Sequence, residues 1–187
     1  MQFPLNYPLS LSFKIVAMAP QLSVTDARGS QVAYIKQKLF KLKEDIRVYA
    51  DESKQHEILT IKARTIIDFS AAYDVVDSQA NQKVGAVRRR GWKSIVRDEW
   101  DLLDPADQVI GKVREAGFAL LRRFIKLLPQ SYDITLGTAR VGGIKQSWNP
   151  FVFKAVMDPS ADPQRLLDRR LALAAGVLLM AIEGRQE

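Results

Sequence analysis

The segment Leu171-Ala-Leu-Ala-Ala-Gly-Val-Leu-Leu-Met-Ala-Ile182 is apolar on every face of a helix. Asp162 and Pro163 precede it as N-cap and first helical residue, and Gly184 follows as a stop, so the sequence predicts a helix over about 163–183. At 1.5 Å per residue the apolar part rises about 18 Å, against roughly 30 Å of hydrocarbon in a bilayer. No transmembrane span is expected. A helix that is hydrophobic all round must still be surrounded. The small residues Ala172, Ala174, Ala175, Gly176 and Ala181 let neighbouring backbone come close. The competing reading is a tail anchor or a membrane-dipping helix, and the shortness of the segment favours enclosure by the protein itself.

What could enclose it lies upstream, where short β-branched or aromatic runs alternate with turn clusters. Strands are predicted at 22–26, 31–36, 39–42, 46–49, 58–61, 72–77, 83–88, 100–104, 109–114, 131–136, 139–144 and 151–158. Three hairpins share one pattern: an apolar pair ending in Asp26, Asp77 or Asp104, a polar turn, then an apolar-small-apolar run. An aspartate in that place bonds the amides of its own turn, which assigns these three a structural role. Gly85 and Gly111 occupy matching places and point to close approach on the inner face. A many-stranded antiparallel sheet exposes two edges unless it closes, and closure leaves an interior to fill. The predicted fold is therefore mainly β, a closed antiparallel barrel of about twelve strands enclosing the hydrophobic C-terminal helix. The stretch from Gly117 to Pro129 resists this scheme and reads as a short amphipathic helix or a strand pair.

Composition bounds the function. With 187 residues, 47% apolar and 26% charged, the chain suits one barrel domain over 1–187. The N-terminus lacks a basic region and carries Pro4 and Pro8, so it is not read as a secretory signal. There is no cysteine, which excludes thiol catalysis, disulfides and cysteine-based metal sites, and the one histidine, His56, cannot build a multi-histidine centre. His56 reads as an exposed turn residue. No phosphate-binding loop, dinucleotide glycine motif, nucleophile elbow or metal-ligand pair occurs. The expectation is a non-enzyme without cofactors.

The order Pro8-Leu-Ser-Leu-Ser-Phe-Lys14, Val24-Thr-Asp26 with Gly29, Lys38-Leu-Phe-Lys-Leu42, Trp92-Lys-Ser94 with Arg97-Asp-Glu-Trp100, Gly111-Lys112, Asn149-Pro-Phe151 and a terminal apolar helix resembles the LURP-one-related family. That family is grouped with Tubby C-terminal domains and phospholipid scramblases. The resemblance covers essentially the whole chain through motif order. It implies a twelve-stranded barrel around a central helix, and, from Tubby-like domains, binding of phosphoinositide headgroups. No Tubby contact residue is carried over to a position here, and the chain lacks the cysteine-rich and proline-rich stretches of scramblases.

Lys plus Arg number 28 against 21 Asp plus Glu, a net charge of +7. The positive charge is densest at Arg88, Arg89 and Arg90 with Trp92, Lys93 and Arg97, and again at Arg122, Arg123 and Lys126. These residues are the candidate site for an anionic headgroup, Arg forks holding phosphate oxygens and Trp92 sitting at a lipid interface or stacking on a base. The opposing reading is a solubilising turn neutralised by Asp98, Glu99 and Asp101. Lys36, Lys38, Lys41 and Lys43 form a second basic run that reads as a solvated strand face. The expected function is a non-enzymatic module binding anionic phospholipid headgroups, and the alternative is a structural or protein-interaction domain with no small ligand. The expected partners are anionic membrane lipids or a protein, with a cytoplasmic location peripheral to a membrane. Nucleic acid is disfavoured, because no recognition helix or zinc finger is present and the net charge is modest.

Overall fold

In the computed structural model, residues 5–16, 19–36, 45–64, 71–90, 98–116, 130–147 and 153–183 are described. They form β1 (Leu9–Val16), β2 (Ala19–Thr25), β3 (Gln31–Lys36), β4 (Ile46–Tyr49), β5 (Glu57–Ala63) and β6 (Ala72–Asp77). The chain continues through β7 (Gln82–Arg89), β8 (Glu99–Leu103), β9 (Val109–Ala116), β10 (Ser131–Leu136), β11 (Ala139–Ser147) and β12 (Phe153–Asp158) to helix α1 (Arg169–Glu183). Each strand pairs antiparallel with its sequence neighbour, and β1 closes on β12 with Leu11 opposite Ala155, so the sheet is a closed barrel. Closure removes every edge. The predicted fold class is the one observed.

Alternation decides which side chains fill the interior. In β6, Tyr73, Val75 and Asp77 are buried while Ala72, Asp74 and Val76 are partly exposed. In α1, Leu171, Leu173, Ala174, Val177 and Leu178 are each exposed by 1% or less, and the helix touches β1, β6, β7 and β12. The all-round apolarity of this segment thus has a direct cause: the barrel covers it on every side.

Five hairpins carry a β-bulge in the second strand, at Val32, Ile58, Val84, Ile110 and Val141, where the register slips by one residue. Bulges sharpen twist and bend, which helps the sheet curl to closure. The aspartates read as turn formers hold these hairpins. Asp26 accepts the amides of Arg28 and Ser30, Asp77 those of Gln79 and Ala80, and Asp104 that of Gln108. Asp51 does the same for Ser53 in the β4–β5 turn without the shared sequence pattern. Gly85 faces inward as expected: a Cβ there would lie 2.3 Å from the Leu103 carbonyl oxygen and 3.3 Å from Leu171 Cδ2.

Two expectations change. The sequence lists 39–42 as a strand and omits 9–16. The structure has β1 at 9–16, while 39–42 and the stretch 117–129 lie outside the described residues. Helix α1 begins at Arg169, not at Pro163. The reason is local: Asp162 accepts the amides of Leu166 and Leu167 in a separate turn, and Arg165 has a positive φ of 54°, which breaks a helical path. Asp168 is the actual cap, accepting the Arg170 amide at 2.9 Å. Gly184 lies outside the described residues.

Candidate anion-binding face

The basic run at the end of β7 is split by strand alternation. Arg88 stands opposite Asp101 in the β7–β8 register, on the outer face, and Arg89 stands opposite Trp100, on the inner one. Arg90 follows on the outer side. Across β8, β9 brings Lys112 opposite Asp101 and Arg114 opposite Glu99. The outcome is a grid of four cations, Arg88, Arg90, Lys112 and Arg114, drawn from two strands that flank β8.

Their counter-charges lie beneath them. Asp101 is 1% exposed and receives Arg88 Nη2 at 2.9 Å and Arg90 Nε at 2.7 Å. Glu99 is 7% exposed and lies 3.2 Å from Arg114 Nε, 3.5 Å from Lys112 Nζ and 3.6 Å from Arg90 Nη1. Burial alone raises the Glu99 carboxyl, but the Arg114 hydrogen bond and the charges of Arg114, Lys112 and Arg90 outweigh it and hold the group below the ordinary carboxylate range. The cations remain 30% to 51% exposed. Four positive groups over two covered carboxylates leave an outward surface that is net positive, with side chains already held in place. Asp133, next to Arg114 in register, is taken by Arg140 at 2.6 Å.

Arg89 belongs to a different environment. Its Nε reaches Asp98 Oδ1 at 3.1 Å, Trp100 Nε1 donates to Asp98 Oδ2 at 2.9 Å, and the guanidinium lies 5.7 Å from the Trp100 ring centre. This cluster, in which Arg89 is still 32% exposed, anchors the buried Trp100 against Tyr73, whose ring centre is 6.5 Å away. It does not share the outer grid.

The family model described as LURP-one-related matches residues 31–164, more than half of the chain. The chain belongs to the LURP-one-related family. No curated protein matches this LURP-one-related chain. An X-ray structure of a protein from Arabidopsis thaliana aligns with 97% of this chain and 95% of its own at a TM-score of 0.54 and 15% identity, a likeness that shows the fold alone.

In this LURP-one-related barrel, then, the described residues among the sequence-chosen basic ones are Arg88, Arg89 and Arg90, and of these Arg88 and Arg90 meet on the grid. Trp92, Lys93, Arg97, Arg122, Arg123 and Lys126 lie outside the described residues. Lys112 and Arg114 were missed because they fall in an ordinary-looking hairpin strand. The signal that locates them is register: once β7, β8 and β9 are aligned through the Asp104 turn, alternate positions of β9 must face the same side as Arg88 and Arg90. His56 is exposed in the β4–β5 turn, as read, and Lys36 is exposed at the end of β3, while Lys38, Lys41 and Lys43 are outside the described residues. Among the described residues no group of three or more His, Cys, Asp or Glu could hold a metal ion, and no helix is long and apolar enough to cross a membrane.

Proposed function

We propose that this Tubby-like barrel is a non-enzymatic binding module that recognises anionic phospholipid headgroups of the phosphoinositide kind, peripherally, on the cytoplasmic face of a membrane. The observation that carries the reading is the grid of Arg88, Arg90, Lys112 and Arg114, exposed above Asp101 and Glu99. Guanidinium forks held by carboxylates beneath them keep outward N–H groups for phosphate oxygens, and little side-chain freedom is then lost on binding. The lack of nucleotide, nucleophile or metal motifs in the sequence supports the non-enzymatic part.

A second reading has its own observation: the same ion pairs satisfy the same cations, as in a purely structural charge ladder. Liposome sedimentation separates the two. The double variant Arg88→Gln/Arg114→Gln removes two cations yet leaves Asp101 with Arg90 and Glu99 with Lys112 and Arg90. At about 1 kcal/mol per basic residue at an anionic surface, affinity for phosphoinositide vesicles falls roughly thirtyfold. The charge-preserving Arg88→Lys/Arg114→Lys retains most binding. Equal pelleting of wild type and the Gln variant, with thermal melting showing both folded, supports the structural ladder instead.

A further inference from the structure

The outer face of β10, β11 and β12 holds an open groove of about 650 Å³, within the size range of small-molecule sites. Its floor is Gly143, which stands between Asp133 on β10 and Asp158 on β12 in one cross-strand row. A Cβ at Gly143 would come 3.0 Å from Arg140 Nη2 and 3.1 Å from the Tyr132 carbonyl oxygen. The bare position thus lets Arg140 fold across the floor to Asp133, so one acid of the row is neutralised.

The other charges of the groove are left apart. Lys145 is exposed, opposite Ser131 and Val156 in register, and makes no ion pair among the described residues. Asp158 uses Oδ1 to accept the Ser160 amide at 2.9 Å and also has no cationic partner among the described residues. Lys145 and Asp158 are diagonal neighbours on one face, a relationship that sets their backbone positions roughly 7–8 Å apart. A lysine can span that separation, yet the two make no ion pair in this structure, so both charges face one small ligand lying between them. The hydroxyl of Ser131 makes only a long 3.4 Å contact to the Ala116 carbonyl, and Ser147 lies two residues along the strand from Lys145 on the same side.

We propose that this groove binds a short aminophosphate, an ammonium joined to a phosphate through a small linker. The phosphate sits at Lys145 with the Ser131 and Ser147 hydroxyls, whose several donors suit its non-bridging oxygens, three in a free monoester and two in a lipid diester. The ammonium donates to the free oxygen of Asp158. Val156 lies under the linker. Such a compound comes from a lipid headgroup or from the free molecule, and the chemistry of recognition is shared. The site uses none of the β7–β9 grid and goes beyond the reading given for it.

The test titrates the full chain with O-phosphoethanolamine by calorimetry. Saturable binding is expected, with inorganic phosphate at least about tenfold weaker because Asp158 then has no partner. Lys145→Met and Asp158→Asn, both at exposed positions, each weaken binding by about tenfold or more, and Val156→Trp blocks the groove. Vesicles of phosphatidylethanolamine in phosphatidylcholine, pelleted with wild type and Asp158→Asn, identify the source. Asp158-dependent pelleting assigns the lipid headgroup, and binding of the free compound alone assigns the soluble one. No saturation at millimolar concentration, equal affinity for inorganic phosphate, or binding indifferent to Asp158→Asn overturns the proposal. Arg88→Gln/Arg114→Gln leaves O-phosphoethanolamine affinity unchanged, which separates failure here from failure of the phosphoinositide reading.

Discussion

Arg170 Nη1 donates to Asp77 Oδ2 at 2.7 Å, joining the second residue of the central helix to the β6–β7 turn across ninety-three residues of chain. Asp77 is 2% exposed, and its Oδ1 is already occupied by the amides of Gln79 and Ala80. One carboxylate therefore shapes a hairpin and docks the helix end. Asp77→Ala leaves Arg170 and two turn amides short of a partner and lowers the unfolding free energy by about 3 kcal/mol. Urea denaturation measures it, and a double-mutant cycle with Arg170→Met gives a coupling of about 1–3 kcal/mol. Additive single effects would show that the two residues act separately.

The acid limb of stability follows from the same cluster. Burial raises the Asp77 carboxyl, but the Ala80 amide, Arg170 and the Gln79 amide outweigh it and hold it below the ordinary range. For Asp168, burial is likewise overcome by Arg170 and by helix amides. Folded values below the unfolded ones mean that the unfolded chain binds protons more readily. These groups stabilise fully above the unfolded carboxylate value near pH 4, and the contribution is lost as pH falls through the folded values. Melting temperature is expected to hold down to about pH 5 and then drop, with a shallower drop in Asp77→Asn. Parallel profiles for the two proteins would contradict this origin.

Tyr7 sets an alkaline counterpart. Burial pushes its hydroxyl up to about 12, against the pull of Arg169 and Arg165, and the Oη is buried without a hydrogen-bond partner among the described residues. The Arg169 guanidinium lies 5.1 Å from the ring centre. Tyr7→Phe keeps the ring contact and removes an unsatisfied hydroxyl, so it stabilises by about 1 kcal/mol at neutral pH. In the wild type this group leaves stability unchanged below about pH 10, its ordinary value, and lowers it as pH rises from there through the folded value of about 12. Tyr7→Phe escapes that loss, which thermal melts between neutral and alkaline pH record. A variant less stable than wild type at every pH would rule the assignment out.

Gly85 tests the fit between barrel and helix. Its Cβ position is closed by backbone, the Leu103 carbonyl oxygen at 2.3 Å, and by Leu171 of the helix. Backbone cannot swing aside as a flexible side chain can. Gly85→Ala is expected to cost about 1–3 kcal/mol or more through overpacking, read by chemical denaturation. A cost of a few tenths would mean that the strand shifts freely from the helix.

Much of the architecture was legible because it depends on local chemistry. The turn-forming role of Asp26, Asp77 and Asp104 needs only the amides of the next few residues, and eleven of the twelve predicted strands rest on alternation within a few positions. β1 was harder to read because Ser10, Ser12 and Lys14 dilute its apolar face, and its strand character comes from pairing with both β2 and β12. The helix start was misplaced because Asp162-Pro163 has the chemistry of a cap, and only the positive φ at Arg165 diverts it to a separate turn.

By itself the sequence determined that an all-round apolar helix had to be enclosed and that hairpins were available to enclose it, since burial of apolar surface and turn chemistry act over short stretches of chain. Tertiary structure alone decided which charges share a face. Arg88 and Arg89 are adjacent in sequence yet lie on opposite sides of the barrel wall, while Arg88 and Lys112 flank the same buried Asp101 from different strands. Lys145 and Asp158 likewise come to one face beside Gly143 only through register. Electrostatics depends on distance through space, and in a closed sheet that distance is set by strand pairing.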